Sequence, residues 1–423
     1  MNEEQGRTDM HFRFSDRSLA MQEELEAFFR KEVLPRNRDW HNHVSKHGTA
    51  PAFLETLKAE ARRRGLWNLG LPDLKDDQPG TRLTNLEFAP LAAVMGRLSW
   101  APIVFNCNAP NVPNMEILQK FGSLEQKRQW LAPLLDGKIW TAFGMTEPEV
   151  ASSDARNIRT RIRRDGNDYV IDGRKWFISG ANHPDCKIVI VVGVTDEEGG
   201  SSAQHSHVIV PVGTPGMEIV RTLPIFGRGE ALGAPCEIVL RNVRVPQSNR
   251  LGEEGAGFAM SQARLGVARV HHCMRSLGSC DVLIQLMRER STTRKAFGRP
   301  IGDFANIQDM IALSRIELEQ AKLLVFKTAW LLDEGGPEAA RREVSMIKVA
   351  VARTYSAIAD RAVQVFGAMG VSDDTPASAA YTAARAMRIY DGPDEVHLRT
   401  LFRLEPREVV GESTHYLLGE RGL

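Results

Sequence analysis

Cysteine is scarce in this sequence. The 423 residues include 5 cysteines, and these are Cys107, Cys186, Cys236, Cys273 and Cys280. Their number is odd, their spacing is wide and no C-x-x-C string occurs, so the pattern favours neither a disulfide framework nor a structural zinc site. We expect reduced thiols in a cytosolic protein.

Long apolar runs and an excess of one charge are also missing. No run approaches the roughly 18 apolar residues of a membrane-spanning helix, which argues against an integral membrane protein. Lys and Arg number 54, Asp and Glu 53, and the formal net charge is +1. This balance argues against a broad surface for nucleic acid or anionic membranes. The polar, partly acidic N-terminus resembles neither a signal nor a transit peptide, so we expect a cytoplasmic protein.

Several motifs of nucleotide binding and hydrolysis are absent. Gly227-Arg228-Gly229 and Gly255-Ala256-Gly257 lack the third glycine of a G-x-G-x-x-G string, which argues against a Rossmann dinucleotide site. The sequence contains no Walker A string and no G-x-S-x-G elbow. P-loop NTPases and α/β-hydrolases are therefore excluded.

Metal-ligand patterns are weak. A di-iron site in a helical bundle needs two E-x-x-H pairs. The chain has one E-x-x-H, from Glu412 to His415, and one D-x-x-H, from Asp394 to His397. The His-His-Cys string at 271–273 does not converge on one ion, because adjacent residues on a helix point about 100° apart. We predict no metal site.

The residues that are present form three stretches of different texture, and the first is helical. From about Asp16 to Gly137 the apolar spacing predicts helices separated by Gly and Pro. The first helix is predicted to be capped by Asp16 or Ser18 and to stop at Pro35. The helices predicted after it are Pro51–Gly65, Leu86–Leu98, Met115–Phe121 and Leu124–Leu135.

The second stretch, from about Thr141 to Glu253, alternates short β-rich runs with turn signals. Asp165-Gly166 and Asp172-Gly173 each stand between two such runs, which predicts two hairpins. The clearest strands are Lys187–Val194, His207–Val212, Met217–Val220 and Glu237–Val245. Strands at about ten-residue spacing, without helices between them, predict an antiparallel barrel or sandwich.

The third stretch, from about Gly257 onward, returns to helix. The predicted helices are Arg264–Arg290, Ile307–Leu332, Pro337–Phe366, Ala377–Ile389 and Pro393–Leu404. Long amphipathic helices with short loops predict an antiparallel bundle. The predicted fold class is therefore α+β and multidomain. It has an N-terminal α-helical domain at 1–140, a central antiparallel β-barrel or sandwich domain at 141–256, and a C-terminal four-helix-bundle-like domain at 257–423.

Four islands of sequence carry a family resemblance. They are T-A-F-G-M-T-E-P-E-V-A-S-S-D-A-R at 141–156, G-R-K-W-F-I-S-G-A at 173–181, R-K-A-F-G-R-P-I at 294–301, and Q-V-F-G-A-M-G at 364–370 with R-I-Y-D-G-P-D-E-V-H at 388–397. Together they resemble the acyl-CoA dehydrogenase family. The resemblance covers nearly the whole chain, and the islands follow the family's order.

The resemblance implies an FAD held between the β-domain and the bundle. Its ring system is expected against the first two islands, where the Thr146 hydroxyl and backbone N–H groups bond the flavin edge. Ser179 is expected to reach flavin N5, and Phe177 to pack on the ring. The residues implied for this side of the cofactor are Phe143, Met145, Thr146, Phe177, Ile178 and Ser179, with Pro393 and Glu395 from the fourth island.

The resemblance also implies an oligomer. Arg294 resembles the family's pyrophosphate-binding arginine, whose guanidinium bonds two oxygens at once and reaches the FAD of a neighbouring subunit. The loop Gln364–Gly370 is expected to receive adenosine and pyrophosphate across the same interface, where glycine permits close backbone approach. A homodimer or homotetramer follows. Arg294, Phe297, Gln364 and Gly367 then serve a neighbour's cofactor.

Two regions leave alternatives open on the substrate side. Relatives have G-A-G-S-D after T-E-P, whereas residues 149–154 read E-V-A-S-S-D, one residue longer. Ser153 best matches the serine that contacts FAD or the acyl group, and Ser152 is the alternative. Arg269 falls at the spacing of the family's substrate-pocket arginine, with Arg264 as the alternative.

The catalytic base departs from the family pattern. Relatives carry glutamate in Y-E-G, and here the string is Tyr390-Asp391-Gly392, all three expected at the substrate. Aspartate is one methylene shorter, so its carboxylate has to come closer to the substrate by about 1 Å. An alternative role for Asp391 is to cap the helix that begins near Pro393. Glu395 is then the nearest candidate base.

The resemblance implies an FAD-dependent acyl-CoA dehydrogenase. Asp391 removes the α-proton of an acyl-CoA, flavin N5 accepts the β-hydride, and trans-2-enoyl-CoA results. Reduced FAD passes its electrons to an electron-transfer flavoprotein. Two alternatives are a same-fold acyl-CoA oxidase or flavin monooxygenase, and a non-catalytic acyl-CoA or flavin binding protein.

One subgroup of the family is especially similar. The D-G-P-D-E-V-H string and the long loop after T-E-P resemble the dehydrogenases that in animals are fused to a kinase-like domain. That subgroup is associated with 4-hydroxyacyl-CoA breakdown through a phosphorylated intermediate. The resemblance makes a 4-substituted acyl chain one candidate substrate, while chain length and branching stay open.

Overall fold

Helices form the first stretch of the chain. The computed structural model describes residues 13–196, 204–228 and 232–405. The N-terminal helices are α1 (Asp16–Phe28), α2 (Asn37–His47), α3 (Phe53–Arg63), α4 (Asn85–Met95), α5 (Ala101–Val104), α6 (Asn111–Phe121), α7 (Leu124–Gln126) and α8 (Ala132–Leu135). The predicted helix Leu124–Leu135 is interrupted by a π-helical turn at Lys127–Leu131.

The first helix begins and continues differently from its prediction. Ser15 is the N-cap, because its Oγ accepts a hydrogen bond from the N–H of Ser18 at 3.1 Å. Neither Asp16 nor Ser18 has that role. Pro35 does not end the helical path, since it lies in the first turn of the 3₁₀ segment Leu34–Arg36, where its missing N–H is not needed. Helix α2 follows at once.

The middle stretch forms one sheet. Its strands are β1 (Trp140–Gly144), β2 (Arg161–Asp165), β3 (Asp168–Ile178), β4 (Cys186–Val194), β5 (His205–Pro211), β6 (Met217–Thr222), β7 (Cys236–Pro246) and β8 (Arg250–Leu251). They are ordered β6-β7-β3-β2-β4-β5-β8, and β1 pairs with β4.

The sheet corrects two details of the predicted antiparallel barrel or sandwich. Strand β1 runs parallel to β4, and β2 also meets β4 in parallel, at Arg161 and Val194. The order ends at β6 and β8, which do not pair in the described part of the chain, so the sheet is not a closed barrel. The loop between β1 and β2 returns the chain to the same edge of β4. Counting strands and turns does not reveal that path.

One predicted hairpin is present and the other is not. Asp165 and Asp168 pair across a two-residue turn at Gly166, whose φ is +60°. The Asp172-Gly173 string instead lies inside β3, where the pairing with β7 shifts register. A Cβ on Gly173 would come within 2.3 Å of Thr160 Oγ1. The glycine therefore serves close approach at a bulge, not a turn.

The third stretch is a bundle built on two long helices. Its elements are α9 (Gly257–Thr293), β9 (Lys295–Ala296), β10 (Arg299–Pro300), α10 (Ala305–Ala339), α11 (Arg341–Phe366), α12 (Ala368–Val371), α13 (Ala377–Met387) and α14 (Asp394–Leu404). Helix α9 packs against α11, α10 and α4. The sequence predicts that one helix ends before Pro337 and the next begins there. In the structure, α10 continues across this position with a kink at Gly336, whose φ is +71°. Helix α11 starts at Arg341.

Two apolar clusters hold the stretches together. The larger joins helices of the first and third stretches to one side of the sheet. The smaller lies between α6, α8 and strands β1, β4 and β5, and it includes Phe143 and Met145. Each fully buried leucine or isoleucine in such a cluster contributes about 1.5–3 kcal/mol. The end of β1 is thereby fixed against α6.

Some further findings concern the described residues as a whole. None of the helices within the described ranges has the length and apolar character to cross a bilayer. Across the same ranges, no three His, Cys, Asp or Glu side chains group as metal ligands. Glu412 and His415 lie outside them. All five cysteines are buried and unpaired.

Candidate active site

The loop 388–393 carries Asp391 between α13 and α14. Asp391 has φ +54° and Gly392 φ +102°. A non-glycine residue adopts such a backbone at a cost of roughly 1–3 kcal/mol. Two side chains hold the Asp391 carbonyl oxygen: Arg269 Nε donates to it at 2.8 Å, and His397 Nε2 lies 3.2 Å away. The strained loop is thus fixed from α9 and from α14.

The carboxylate of Asp391 is only 15% exposed, and its Oδ2 is buried without a hydrogen bond. His272 Nε2 lies 3.4 Å from Oδ2. A carboxylate with uncommitted lone pairs can accept a proton from a bound molecule. The helix-cap alternative is not seen, because Pro393 is the N-cap of α14 and no side chain bonds there. Glu395, the other candidate base, is exposed.

His272 presents one ring nitrogen to Asp391 and the other to Arg275. Its Nδ1 lies 3.1 Å from an Arg275 guanidinium nitrogen, which only donates. Nδ1 is therefore the acceptor, and the ring proton belongs on Nε2, toward Asp391. Burial, reinforced by the charge of Arg275, lowers the pKa of His272 well below its usual value, so the ring is neutral. The ring of Tyr390 packs 4.9 Å away.

Two buried cations, Arg264 and Lys348, and the partly buried Arg269 lie near this loop. Arg264 donates from Nε to Asn114 Oδ1 at 2.9 Å, and its guanidinium lies 4.1 Å from the centre of the Phe143 ring. Burial lowers the pKa of Arg264 to about 10, so it keeps its charge at neutral pH. Lys348 on α11 donates to the carbonyl of Gly392 at 3.3 Å. Of the two candidate arginines, Arg269 is the one bonded to the Asp391 loop, and Arg264 supports β1.

A buried ion pair stabilises the T-E-P turn. Lys175 Nζ lies 2.8 Å from Glu147 Oε1 and donates to the Met145 carbonyl at 2.9 Å. Burial by itself raises the pKa of Glu147, but Lys175, Thr160 and a backbone N–H lower it below its usual value. The pair ties the end of β1 to β3. Sequence reasoning missed it, although each residue lies inside a quoted island.

Phe177 occupies an unusual backbone position. Its φ is +52° and its side chain is 47% exposed, at a register shift between β3 and β7. Ile178 is buried, Ser179 is exposed and Thr146 is half-buried. The Thr146 carbonyl accepts from the N–H of Trp176 at 3.0 Å, which joins the first two islands. A bulky residue at positive φ is uncommon, and its open aromatic face fits a planar ring.

The two candidate serines differ in the structure. Ser152 Oγ accepts from the N–H of Glu147 at 2.9 Å and closes the T-E-P loop on itself. Ser153 is exposed. On the same loop, Glu149 forms an exposed ion pair with Arg174 at 3.3 Å. Ser153 is therefore the more accessible of the two, and its contact with FAD or the acyl group stays a prediction.

A second group of predicted residues lies at the far end of the bundle. Arg294 follows α9 directly and is exposed, and Phe297, at φ +51°, is 96% exposed. Gln364 is exposed in the last turn of α11, and Gly367 has φ +65°. Along α9, Arg294 is roughly 33 Å from the turn that carries His272, at about 1.5 Å per residue. A single chain therefore does not bring the two groups into one site.

These observations fit an extended cofactor that has a planar ring at one end and phosphates at the other. The ring end is open at Phe177 and Ser179, and Arg294 of a second copy of the chain offers an exposed guanidinium for the phosphate end. Phe297, which is 96% exposed, lies beside Arg294 in the same hairpin. FAD has this shape and chemistry.

Comparisons with known proteins agree with this architecture. The family models for the acyl-CoA dehydrogenase N-terminal, middle and C-terminal domains match residues 15–138, 142–243 and 255–404. The chain therefore belongs to the acyl-CoA dehydrogenase family, and the resemblance found in the four islands is confirmed. It is an FAD-dependent oxidoreductase.

Individual relatives align over most of the chain. A Mycobacterium tuberculosis (strain ATCC 25618 / H37Rv) protein named "Probable acyl-CoA dehydrogenase FadE2" is 50% identical over 401 residues, which are 94% of this chain and 97% of that protein. "Acyl-CoA dehydrogenase family member 11" of Gallus gallus is 43% identical over 90% of this chain, which spans 49% of that protein's length. A solved structure from Mycobacterium abscessus is 43% identical, with a TM-score of 0.88 over 92% of this chain and 98% of that one.

Proposed function

We propose that this protein dehydrogenates an acyl-CoA thioester between its α and β carbons to give a trans-2-enoyl-CoA. The observation that supports this most is the Asp391 carboxylate, which is only 15% exposed and lies on a loop that is held from both α9 and α14. Asp391 accepts the α-proton. Its backbone N–H is the proposed donor to the thioester oxygen as negative charge develops there. Bound FAD supplies the hydride acceptor for the β-hydrogen.

The rest of the loop keeps Asp391 ready for this step. Arg269 and His397 hold its carbonyl, and Lys348 holds the carbonyl of Gly392. A base that is already positioned loses little freedom when the substrate arrives. The cations also stabilise the negative charge that develops on the thioester. Tyr390, Gly392 and Ser153 complete the proposed substrate contacts.

The proposed FAD contacts fall into two groups. Thr146, Phe177 and Ser179 hold the ring, supported by Phe143, Met145 and Ile178, with Pro393 and Glu395 from the loop and α14. Arg294, Phe297, Gln364 and Gly367 hold the phosphates and adenosine of a partner subunit's cofactor. The distance of roughly 33 Å along α9 supports this division.

We also propose a homodimer or homotetramer. Helix α10 exposes Leu313, Ile316 and Leu323 by 47, 54 and 53%. Large apolar side chains at helical spacing on one exposed element are typical of a surface that a second subunit covers. This surface lies on α10, the helix that follows Arg294 and the β9–β10 hairpin.

A 4-substituted acyl chain is the proposed substrate, and an electron-transfer flavoprotein the proposed electron acceptor. The substrate proposal is supported by the lengthened loop 149–154 and by the similarity to acyl-CoA dehydrogenase family member 11. Anaerobic mixing of the FAD-loaded protein with a panel of acyl-CoAs tests it. We expect flavin bleaching by CoA thioesters, fastest with 4-hydroxy or 4-phospho chains. Equal or faster bleaching by straight chains contradicts the substrate proposal, and no bleaching by any thioester contradicts the function.

Oxygen distinguishes the same-fold alternatives. We expect the substrate-reduced protein to consume oxygen slowly and to pass electrons rapidly to an electron-transfer flavoprotein. Rapid, stoichiometric oxygen consumption during turnover identifies an oxidase or monooxygenase instead. Purified protein that binds acyl-CoA without holding a flavin identifies a binding protein.

A further inference from the structure

We propose that His272 is a positioning residue for Asp391, donating its Nε2–H to Oδ2 so that Oδ1 is the oxygen that takes the α-proton. This rests on the proposed function of Asp391 as the base. It adds a residue that the sequence motifs did not indicate, and it gives the Asp391 carboxylate a defined orientation.

The contact between the two side chains carries the first step. His272 Nε2 and Asp391 Oδ2 are 3.4 Å apart, and Oδ2 makes no hydrogen bond at this distance. Hydrogen bonds of this kind have lengths of about 2.7–3.2 Å and a nearly straight N–H···O angle, so a small side-chain rotation that shortens and straightens this contact completes one. An unpaired buried carboxylate oxygen favours that approach. Once water is excluded by the substrate, the bond becomes stronger.

The second step is the tautomer of His272. Arg275 donates to Nδ1, and this places the ring proton on Nε2. Arg275 is itself held, because its other terminal nitrogen donates to the Cys107 carbonyl at 3.1 Å. Hydrogen bonds thus link the Cys107 carbonyl to Arg275 and Arg275 to His272, and the Nε2–H of His272 lies beside the Asp391 carboxylate.

Burial and the charged groups around His272 keep its ring neutral. Burial is the main cause, and Arg275, Lys348 and Arg264 also disfavour a positive charge on the ring. Arg269 and Tyr390 also lie beside Asp391. A neutral N–H donor still fixes the direction of the Asp391 carboxylate. Positioning, not proton transfer by His272, follows from this arrangement.

The third step concerns the short side chain of aspartate. Its carboxylate orientation depends on two side-chain torsions, so one hydrogen bond on Oδ2 determines where Oδ1 points. Misplacement of a reacting group by about 1 Å can reduce a rate roughly a hundredfold. For a side chain as short as aspartate, one such bond is therefore enough to set the direction of the reacting oxygen.

The experiment measures proton abstraction apart from flavin reduction. The FAD-loaded oligomer is incubated in D₂O with an acyl-CoA analogue that has sulfur in place of the β-carbon. This analogue can exchange its α-hydrogen through Asp391 but has no β-hydride to transfer. Deuterium incorporation is followed by mass spectrometry as a function of pH. The variants are His272→Phe, His272→Gln, Arg275→Met and Asp391→Asn, with the exposed His47→Phe as a matched control.

The expected result separates positioning from packing. His272→Phe keeps a ring without the donor, so exchange slows by roughly tenfold or more. His272→Gln retains an N–H and stays within about threefold of the parent. Arg275→Met slows exchange when it is introduced into the parent, and it has a smaller effect when it is introduced into the His272→Gln variant.

Other outcomes overturn one proposal or the other. If Asp391→Asn exchanges at the parent rate, the proposed function fails and His272 has no base to position. If Asp391→Asn is slow but His272→Phe matches the parent at every pH, only the positioning role fails. Equal slowing of His272→Phe and His272→Gln, with no rescue by the N–H of glutamine, assigns His272 a packing role and also overturns the proposal. If His272→Phe does not retain FAD, the comparison of Arg275→Met with His272→Gln decides between positioning and packing.

Discussion

Replacing Asp391 by asparagine is expected to abolish most activity while leaving the protein folded. Asparagine keeps the shape of the side chain and removes its basicity. A positioned base contributes roughly 10²- to 10⁴-fold, which is about 3–5 kcal/mol of barrier at 1.36 kcal/mol per tenfold. Flavin reduction by acyl-CoA, followed by anaerobic stopped flow, should slow by that factor. FAD content and acyl-CoA affinity should stay near those of the parent.

The stability of the same variant should change much less than its activity. Asp391 Oδ2 makes no hydrogen bond, so the substitution removes no described bond to that atom. It does remove a mostly buried negative charge that favours the charged forms of Arg264, Arg269 and Lys348. The free energy of unfolding is therefore expected to fall by about 1–3 kcal/mol, which leaves the protein folded. A large loss of activity in a variant that still folds and holds FAD is the expected signature of a functional carboxylate.

Two further variants complete this test. Asp391→Glu introduces the glutamate that the family resemblance implies at this position but extends the reach, so its rate should fall less than that of Asp391→Asn and should depend on chain length. The exposed pair of Asp76 and Arg82 offers a matched control in Asp76→Asn, which should behave as the parent. If Asp391→Asn reduces flavin at the parent rate while folded and loaded with FAD, the base assignment is refuted. A slow Glu395→Gln variant in that case moves the base to α14.

Two more predictions concern assembly and the T-E-P turn. Arg294→Ala should weaken FAD retention and oligomerisation together, as measured by flavin absorbance and light scattering. The control Arg288→Ala, on the exposed part of α9, should weaken neither. A monomeric Arg294→Ala protein that keeps its full FAD content contradicts the shared site. Lys175→Met leaves Glu147 buried without its partner, so it should lower the free energy of unfolding in urea by about 3–5 kcal/mol. The control Lys138→Met, which removes an exposed ion pair, should lower it by less than about 1 kcal/mol. In the parent, the lowered pKa of Glu147 contributes stability that is present above pH 4.5 and is lost as the pH falls through the pKa of Glu147 in the folded protein. A free energy of unfolding that does not change with pH in this range contradicts the role of the pair.

Local patterns in the sequence predicted the elements well where the signal is short-range. Helical spacing placed the long helices of the bundle, because residues three and four apart share a helix face. The Asp165-Gly166 turn follows from two residues and their backbone preferences. The islands at 141–156 and 388–397 led to the family because contact with one ligand requires particular residues in a fixed order. The aspartate in place of glutamate is equally plain from the sequence.

Contacts between distant residues were decided only by the tertiary structure. The Arg269–Asp391 bond joins residues 122 positions apart, and the side chain that faces Asp391 on α9, His272, carries no motif of its own. The parallel pairing of β1 with β4 and the burial of Lys175 against Glu147 likewise depend on how whole elements pack. Propensity and spacing act within a few residues, whereas these contacts depend on which faces meet once the chain has closed long loops. The sequence alone therefore determined the family and the base candidate, and the packing of α9, α11 and α14 determined how that base is held.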